Sequence, residues 1–336
     1  MAGNNLILAG DIGGTKTRLA LFSIQGEKLQ PELKKTFPSK QYRGLEPVVE
    51  AFLAGQQVSI SRACFGIAGP VVDGQVKTLN LPWVVDAAKI AQLCKLDSVA
   101  LLNDLEAAAY GIFTLGPDEL FTLNEGVSER RGNKVLIAAG TGLGEATLYD
   151  DGRDYHPSAS EGGHGDFGPT DETQIDLLRY LMKEFGHVSY ERVVSGPGIA
   201  NIYGFLRDSG RLEEPDWLKE KISASEDASI VISQEGLAGR SDICVQALNL
   251  FVSAYGAEAG NLALRGKASG GVYIGGGIAP KILPKLKDGT FMRAFLDKGR
   301  YRELLSAMPV RVILNDQAAL QGAAFYARLK GSNHSA

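Results

Sequence analysis

The sequence predicts an α/β protein made of two related halves, and three observations support that prediction. At residues 6–22 and again at residues 134–149, two apolar runs with the character of strands flank a glycine-rich turn. Segments in which apolar residues recur at helical spacing follow the second region and extend almost to the end of the chain. The chain has 336 residues, a length that accommodates two domains and a sizeable buried core.

The first half is predicted to consist mainly of strands. The glycine-rich turn after residue 9 is too short to hold a helix, so its flanking strands are expected to form a hairpin. Asp73-Gly74 is a strong signal for a second hairpin. The predicted elements are strands at 6–9, 18–22, 63–72, 75–79 and 98–102, followed by a helix at 105–113.

The second half carries most of the predicted helices. Gly186 ends a helical segment whose predicted buried face is formed by Ile175, Leu178, Leu181, Met182 and Phe185. The predicted strands are 134–138, 145–149, 271–274 and 310–314, and the predicted helices lie at 173–185, within 224–266, from Ala279-Pro280 onward and at 317–329.

The two glycine-rich turns indicate a weak internal repeat. Gly10 and Gly140 each follow an apolar strand, at an offset of 130 residues. The same offset aligns Thr17 with Thr147, and both segments then enter a strand. This alignment is the reason for expecting two related α/β halves.

The composition argues against several classes of protein. A formal net charge of -4 argues against a general affinity for nucleic acid or for an anionic membrane. Cys64, Cys94 and Cys244 are far apart and form neither a metal-binding pair nor a disulfide framework, which suits a reducing cytoplasm. No apolar run approaches the roughly 18 residues that span a bilayer, and the first residues lack the pattern of a signal peptide.

The first turn has the chemistry of a magnesium–phosphate site. Its glycines allow backbone N–H groups to approach an anion closely. Asp11 would repel a phosphate unless Mg²⁺ lay between them, directly or through its water shell. We therefore expect Asp11 at the metal and Gly13, Gly14 and Thr15 at the phosphate, with Lys16 adding charge. The competing interpretation is a tight hairpin with a solvated acid.

Two further glycine clusters fit a nucleotide. In AGTGLGEA, Gly140 and Gly142 permit close approach, and Thr141 can donate through its hydroxyl. The segment is neither a P-loop nor a dinucleotide fingerprint, because the glycines of those motifs are missing. Residues 275–277 (Gly275, Gly276 and Gly277) precede a predicted helix start and suit a ribose or an adenine. A plain strand-to-helix turn is the alternative there.

Asp104 is the candidate catalytic base. It follows Asn103 after a buried strand, at the start of a predicted helix whose N-terminus favours the ionised carboxylate. A weak base is sufficient for phosphoryl transfer, because positioning and charge stabilisation supply most of the catalysis. The alternative is that Asp104 only caps the helix.

Polar residues further along the chain suit a polyol. Glu161 and His164 are separated by two glycines and are able to converge on one small ligand, and Glu191 and Asn80 add a carboxylate and an amide. Three alternatives stay open: a metal pair of Glu161 and His164, a structural role for His164, and a helix-dipole role for Glu191.

Seven segments, taken in order, are DIGGTKTRLALF, GIAGPV with TLNLPW, LLNDLEAAAYGI, AAGTGLGEA, SEGGHGDFGP, GHVSYERVVSGPG and GGVYIGGGIAPK. The ordered set resembles the bacterial glucokinases that lack a zinc motif, within the sugar kinase, heat-shock-70 and actin superfamily. The related repressor/ORF/kinase group usually carries a cysteine-rich zinc loop after the EGGH region. No cysteine lies between Cys94 and Cys244 here, so zinc is not expected.

The resemblance implies an actin-like ATPase (ribonuclease H-like) fold of two α/β domains with an interdomain cleft. The small domain would comprise residues 1–114 plus 313–332, and the large domain, with added helices, residues 115–312. The chain would cross back near Asn315-Asp316. Closure of the domains over the sugar would exclude water, and members of this family often form homodimers.

The resemblance also implies an activity: ATP-dependent phosphorylation of D-glucose to glucose 6-phosphate in the cytoplasm, the first step of glycolysis. ATP and Mg²⁺ would be the cofactors and glucose the small-molecule partner. Asp104 would take the proton from the glucose 6-hydroxyl. The implied sugar ligands are Asn80, Asn103, Asp104, Glu161, His164 and Glu191. The residues implied at the ATP phosphates and Mg²⁺ are Asp11, Gly13, Gly14, Thr15, Gly140, Thr141 and Gly142, with Gly275, Gly276 and Gly277 bordering the adenosine.

Three other functions remain open at this point. The first is a kinase for another hexose or N-acylhexosamine, such as mannose or N-acetylmannosamine. The second is a non-enzymatic sugar-responsive regulator, although residues 1–5 leave no room for a helix-turn-helix before the first strand. The third is an actin-like or chaperone-like ATPase, which would leave Glu161, His164 and Glu191 unexplained.

Overall fold

A computed structural model describes residues 5–26, 28–78, 80–127 and 131–332. The chain divides into two units, and the first contains both ends of the chain. Unit 1 comprises Met1–Gly116 and Asn315–Ala336, and unit 2 comprises Pro117–Leu314.

The strands form three sheets. In chain order they are β1 (Asn5–Ile12), β2 (Lys16–Gln25), β3 (Lys28–Pro38), β4 (Ser59–Ile67), β5 (Val71–Val72), β6 (Gln75–Lys77), β7 (Val84–Asp86), β8 (Ala100–Asn103), β9 (Leu120–Asn124), β10 (Lys134–Ala139), β11 (Leu143–Asp150), β12 (Tyr155–Ser160), β13 (Gly271–Gly275) and β14 (Val310–Ile313). Unit 1 holds a sheet in the order β3-β2-β1-β4-β8 and a small sheet β5-β6-β7, and unit 2 holds a sheet in the order β12-β11-β10-β13-β14-β9.

The helices are concentrated in unit 2. In chain order they are α1 (Leu45–Leu53), α2 (Ala87–Cys94), α3 (Asp104–Gly111), α4 (Glu172–Phe185), α5 (Gly196–Asp208), α6 (Asp216–Ser223), α7 (Ala228–Leu237), α8 (Asp242–Gly266), α9 (Leu283–Leu286), α10 (Thr290–Leu296), α11 (Arg302–Ser306) and α12 (Ala318–Ser332). In the part of the chain that the structure describes, no helix is both long enough and apolar enough to span a membrane.

The hydrophobic core of each unit lies against its main sheet. In unit 1, one cluster lies on the α1 and α2 side, and a second is formed by β1, β4, α3 and α12, where Ile7 and Leu102 pack with Leu320 and Ala323. In unit 2, the long helix α8 is the centre of a single large cluster with the β10 and β13 strands, to which Phe251 and Val252 contribute. The buried sheets hold the loops at the strand ends in fixed positions.

The two main sheets share one topology, which confirms the predicted pair of related α/β halves. In each, the first strand pairs antiparallel with the second and parallel with the fourth (β1 with β2 and β4, β10 with β11 and β13). The predicted offset of 130 is wrong, however. The hairpins close at Gly13 and Gly140, which donate to the carbonyls of Lys16 and Gly142, so the structural offset is 127 residues. Gly10 lies inside β1 whereas Gly140 opens a turn, and the two glycines look alike in sequence, which explains the error.

Two other element predictions need correction. The strand predicted over 63–72 ends at Ile67, because Gly69 has a φ of +137° and breaks the extended run before β5. The helix predicted from Ala279 begins only at Leu283, after a turn that opens at Gly276 (φ +82°). Pro284 then occupies the first turn of the helix, a position that proline favours.

The buried face of α4 also differs from the predicted one. Of the five residues expected inside, Met182 is 52% exposed, and the fully buried residues are Gln174, Leu177 and Leu181. The polar side chain of Gln174 can be buried at the start of the helix because its carbonyl oxygen accepts a hydrogen bond from Thr170 N at 3.1 Å. Periodicity alone does not register such a contact.

Candidate functional site

Asp11, the residue assigned to the metal, lies opposite Arg18 in the first hairpin. Arg18 Nη1 donates to Asp11 Oδ2 at 3.2 Å, and Arg18 Nη2 donates to Asp316 Oδ2 at 2.8 Å. Burial raises the pKa of the Asp11 carboxyl, while the adjacent guanidinium opposes that rise. Arg18 therefore holds an acidic pair at the mouth of the turn, a role that sequence reasoning missed.

The first turn is held by Ser39, a buried residue that follows β3. Ser39 Oγ donates to Gly13 O at 2.7 Å, and Ser39 N donates to Thr15 O at 3.0 Å. Both turn carbonyls are bonded to the same residue, which fixes the turn's conformation. Lys16 is exposed at the first position of β2.

Asn80 lies against the first turn. A Cβ at Gly14 would fall 2.7 Å from Asn80 Cβ, closer than such atoms approach, so only glycine fits there. The structure thus brings together Gly14, predicted at a phosphate, and Asn80, predicted at a sugar hydroxyl.

Asn103 and Asp104 lie where β8 meets α3. Asn103 is the N-cap: its Oδ1 accepts from Leu105 N at 2.8 Å, and Glu106 Oε2 accepts from Asn103 N at 3.2 Å, which completes a capping box. Asp104 is the first helical residue, and its Oδ1 accepts from Leu105 N at 3.0 Å. The N-cap position predicted as the alternative role of Asp104 therefore belongs to Asn103.

The residues around Asp11 fit a magnesium ion only if it is held by few protein groups. Magnesium keeps several waters and is usually bound by one or two carboxylates together with substrate phosphates. Among the residues that the structure describes, no group of three or more His, Cys, Asp or Glu side chains is arranged to hold a metal. The donor set therefore fits an ion that binds together with a phosphate chain.

In unit 2 the second turn and the triple glycine lie side by side. Gly140 N donates to Gly142 O at 2.8 Å, and Gly196 N at the start of α5 donates to Gly140 O at 2.8 Å. Gly276 lies against the end of β10, where a Cβ would fall 2.2 Å from Ala139 O. Gly275 ends β13, whose register places it beside Ala138.

A cavity of about 850 Å³ opens next to these two turns, entirely within unit 2. Gly140, Thr141 and Gly277 line it together with the start of α5, helix α7 and the segment after β13. Two apolar side chains of α7 in its wall are unusually exposed, Ile230 at 45% and Leu237 at 36%. A pocket of this size with apolar walls and glycine turns at one end has the form of a nucleotide site.

Sequence reasoning missed the α5 and α7 walls of this cavity. The missed residues are Gly196, Pro197, Ile199, Ala200, Ala228, Ser229, Ile230, Ser233, Gln234 and Leu237. A weak signal was present, because α7 has apolar residues on more than one face and so cannot bury all of them.

Glu191 contacts the second turn directly. Its Oε2 accepts from Leu143 N at 3.0 Å, and a Cβ at Gly142 would fall 2.5 Å from the same oxygen. Glu191 lies in a single 3₁₀ turn, Tyr190–Arg192, that follows Ser189. Its carboxylate reaches across to β11, so the contact is with another element and not with its own helix end.

Glu161 precedes a short 3₁₀ turn, Gly162–His164, that ends at His164. We call residues 161–164 the EGGH loop. His164 Nε2 and Glu161 Oε2 are 4.0 Å apart, and the two side chains are 61% and 85% exposed. The loop packs on β11 through its glycines, since a Cβ at Gly163 would fall 2.0 Å from Leu143 O. The second turn, Glu191 and the EGGH loop therefore all contact the start of β11.

Comparison with known proteins gives a consistent result. The Glucokinase family model matches residues 8–330. A glucokinase of Trichormus variabilis is 42% identical, covering 96% of this chain and 98% of its own. A crystal structure of a glucokinase from an Antarctic psychrotroph superposes with a TM-score of 0.85 at 31% identity, covering 97% of this chain and 99% of its own.

A more distant structure shares only the fold. The ROK family glucokinase from Streptomyces griseus, crystallised with glucose and AMPPNP, superposes with a TM-score of 0.65 at 22% identity and covers 97% of this chain and 100% of its own. These matches confirm the predicted actin-like α/β fold and the predicted family. The chain belongs to the glucokinase family.

Proposed function

We propose that this protein transfers the γ-phosphoryl group of ATP to the 6-hydroxyl of D-glucose, forming glucose 6-phosphate and ADP. Its relatives at about 42% identity, aligned over nearly the whole chain, are glucokinases. The substrate is a small sugar, and the reaction needs an acceptor hydroxyl, a base and a phosphate-binding surface.

One observation carries the proposal: the Gly140 turn borders the large cavity and also contacts the Glu191 carboxylate. A nucleotide phosphate chain on this turn and a sugar hydroxyl on Glu191 would therefore lie within a few residues of each other. Phosphoryl transfer depends mainly on such positioning and on charge stabilisation.

The cavity supports binding of the nucleotide in unit 2. We assign the adenine and ribose to the region of Gly275, Gly276 and Gly277, with Ile230 and Leu237 as apolar walls for the base. The backbone amides of the Gly140 turn would then hold the phosphates. In unit 1, Gly13, Gly14 and Thr15 present a second glycine turn suited to phosphate oxygens.

We assign the sugar to hydrogen bonds with carboxylates, amides and one imidazole. The proposed sugar ligands of unit 2 are Glu161, His164 and Glu191, and those of unit 1 are Asn80 and Asn103. Asp104 accepts the proton of the 6-hydroxyl as that oxygen attacks the γ-phosphorus. The position of Asp104 at the first turn of α3 favours the ionised carboxylate, the form that a base requires.

Magnesium, when bound, would neutralise charge on the phosphate chain. Asp11 is the proposed ligand, directly or through water, with the phosphates as the ion's other partners. Arg18 keeps Asp11 oriented from the neighbouring strand. We also propose a cytoplasmic location, in keeping with three free cysteines.

The test of the base is Asp104→Asn. Loss of a general base lowers kcat by about 10²–10⁴-fold. We expect glucose binding, measured by calorimetry, to survive, because asparagine keeps the size and most of the hydrogen-bonding capacity of the side chain. Glucose-dependent ADP release in a coupled assay measures kcat.

Asp97→Asn is the matched control, an exposed acid of the same unit that we expect to leave kcat unchanged. Full activity in Asp104→Asn would remove Asp104 from the chemistry. The same assay with mannose and N-acetylmannosamine separates glucose from other acceptors. ADP release without any sugar would instead indicate an ATPase.

A further inference from the structure

Two neighbouring buried glutamates have no part in the proposed chemistry, and one of them lies against the EGGH loop. Glu145 on β11 and Glu258 on α8 are each 1% exposed. One nitrogen, Nη2 of Arg265, lies 3.4 Å from Glu145 Oε2 and also donates to Glu258 Oε1. Two carboxyls therefore share one guanidinium that is itself 56% exposed.

The EGGH loop rests on the Glu145 carboxyl. A Cβ at Gly162 would fall 2.2 Å from Glu145 Oε2, so the glycine backbone lies against that oxygen. Ser160 Oγ donates to Glu145 O at 3.3 Å and accepts from Gly162 N at 3.3 Å. A shift of the Glu145 carboxyl toward the loop must therefore move Gly162, because the two groups are already in close contact.

The cations around the pair lie mainly at Glu258: Arg265 makes its shorter contact there, and its nitrogen is 3.4 Å from Glu145 Oε2. Burial and the negative charge of Glu258 raise the pKa of Glu145 well above its usual range, and Arg265 opposes the rise. Glu258 Oε2 accepts from Asn261 Nδ2 at 2.8 Å, and that nitrogen also reaches the hydroxyl of Tyr190 at 3.1 Å. Lys298 also interacts with Glu258, and the hydroxyl of Tyr190 hydrogen-bonds to the same carboxyl group.

The orphaned oxygen of the pair points to a bound proton. Glu145 Oε1 is buried and has no hydrogen-bond partner among the described residues. A buried ionised carboxylate with an unpaired oxygen is costly, whereas a protonated carboxyl beside Glu258 becomes a donor. The ionisable groups of the overlying loop, Glu161 and His164, are mostly exposed to solvent.

We propose that Glu145 and Glu258 are positioning residues for the sugar site: with one proton between them they hold the EGGH loop in its binding conformation, and loss of that proton displaces the loop. Two adjacent negative charges would repel, and the Glu145 oxygen would press on Gly162. The inference rests on the proposed function, because it assigns Glu161 and His164 to glucose. It adds a pH dependence of glucose affinity that arises below the site and not in it.

The test compares the wild type with Glu145→Gln from about pH 6 to about pH 9, a range that spans a strongly raised carboxyl pKa. We expect the wild-type KM for glucose to rise by up to about tenfold per pH unit at the alkaline end, the limit for one linked proton. The kcat should change much less, because Asp104 lies on another element. In Glu145→Gln, KM should stay at its low-pH value throughout.

Asp150→Asn is the control, an acid at the far end of β11 that pairs with Arg131, and it should retain the wild-type profile. An unchanged pH dependence of KM in Glu145→Gln overturns the proposal, as does a wild-type KM that is flat with pH. If Glu145→Gln fails to fold, Glu258→Gln takes its place with the same expectation.

A second measurement separates this proposal from the proposed function. Hydrogen exchange of a peptide covering residues 158–166 is compared between wild type and Glu145→Gln at each pH. We expect equal rates near pH 6 and faster exchange in the wild type near pH 9, which is the range of a raised carboxyl pKa. Equal rates at every pH overturn the positioning role even if the enzyme proves to act on another sugar. Absence of glucose-dependent ADP release overturns only the proposed function.

Discussion

Glu235 shows what a single buried charge does in this molecule. Its side chain is fully buried in α7, and it accepts from Lys221 Nζ at 2.7 Å and from Arg240 Nε at 2.6 Å. These hydrogen bonds, that of Arg240 first, lower the pKa of the Glu235 carboxyl to about 2. The residue ties α6 and the segment after α7 to α7, the helix that forms one wall of the cavity.

We predict that Glu235→Gln lowers the free energy of unfolding at neutral pH by about 1–3 kcal/mol, the range for hydrogen bonds to a charged group. Because the folded pKa lies below the ordinary value of 4.5, the contribution is complete above pH 4.5 and disappears as the pH falls toward 2. Urea unfolding at several pH values measures it.

The control for this prediction is Glu220→Gln, an exposed acid on α6 next to Lys221. It should stay within about 0.5 kcal/mol of the wild type. A difference between Glu235→Gln and the wild type that persists undiminished at pH 2 would contradict the assigned titration.

Among the helices of unit 1, α3 and α12 pack closely against each other. A Cβ at Gly322 would fall 1.8 Å from Ala107 O, and one at Gly111 would fall 2.1 Å from Ala318 O. Two glycines, one from each helix, let the backbones touch. This contact holds α3, and therefore Asp104, against the chain's last helix.

Gly322→Ala should destabilise the protein by about 1–3 kcal/mol or more, because the obstructing atom is backbone and cannot rotate away. Gly204→Ala is the matched control in α5, where the nearest atom is the Tyr180 hydroxyl at 3.4 Å. There the better helix propensity of alanine should make the change neutral or stabilising by about 0.5–1 kcal/mol. Thermal unfolding measures the melting temperatures of the two variants. Equal melting temperatures would disprove the packing argument.

At the scale of the whole molecule, the chain leaves unit 1 after Gly116 and returns at Asn315. Unit 1 therefore depends on the C-terminal helix, whose Leu320, Ala323, Ala324 and Ala327 complete the core beneath β1 and β4. Unit 2 is continuous in sequence and has its own core around α8.

A chain that ends at Leu314 should consequently lose the fold of unit 1 and keep that of unit 2. Removing those side chains exposes apolar strands that were buried on that face. Limited proteolysis with mass spectrometry should show rapid cleavage within residues 5–116 and a protected fragment covering 117–314. Equal protection of both regions would show that α12 is dispensable.

Features that depend on a few neighbouring residues were predictable from the amino-acid sequence. Neighbouring residues predicted both glycine hairpins and the division into related halves. They also predicted the β8–α3 junction that presents Asn103 and Asp104. Turn residues, helix caps and apolar runs act over a few neighbouring positions, so their signals can be read from the sequence.

Features that depend on contacts between distant residues became visible in the folded molecule. Three features join residues that are far apart in sequence. They are the hydrogen bonds of Ser39 to the first turn, the α7 wall of the cavity, and the ion pairs of Arg18 with Asp11 and Asp316. The buried pair of Glu145 and Glu258 belongs to the same class. Such features cannot be read from the sequence because burial is a property of the packed molecule and not of a single residue. Burial is also the factor that changes the free energy of a carboxylate most.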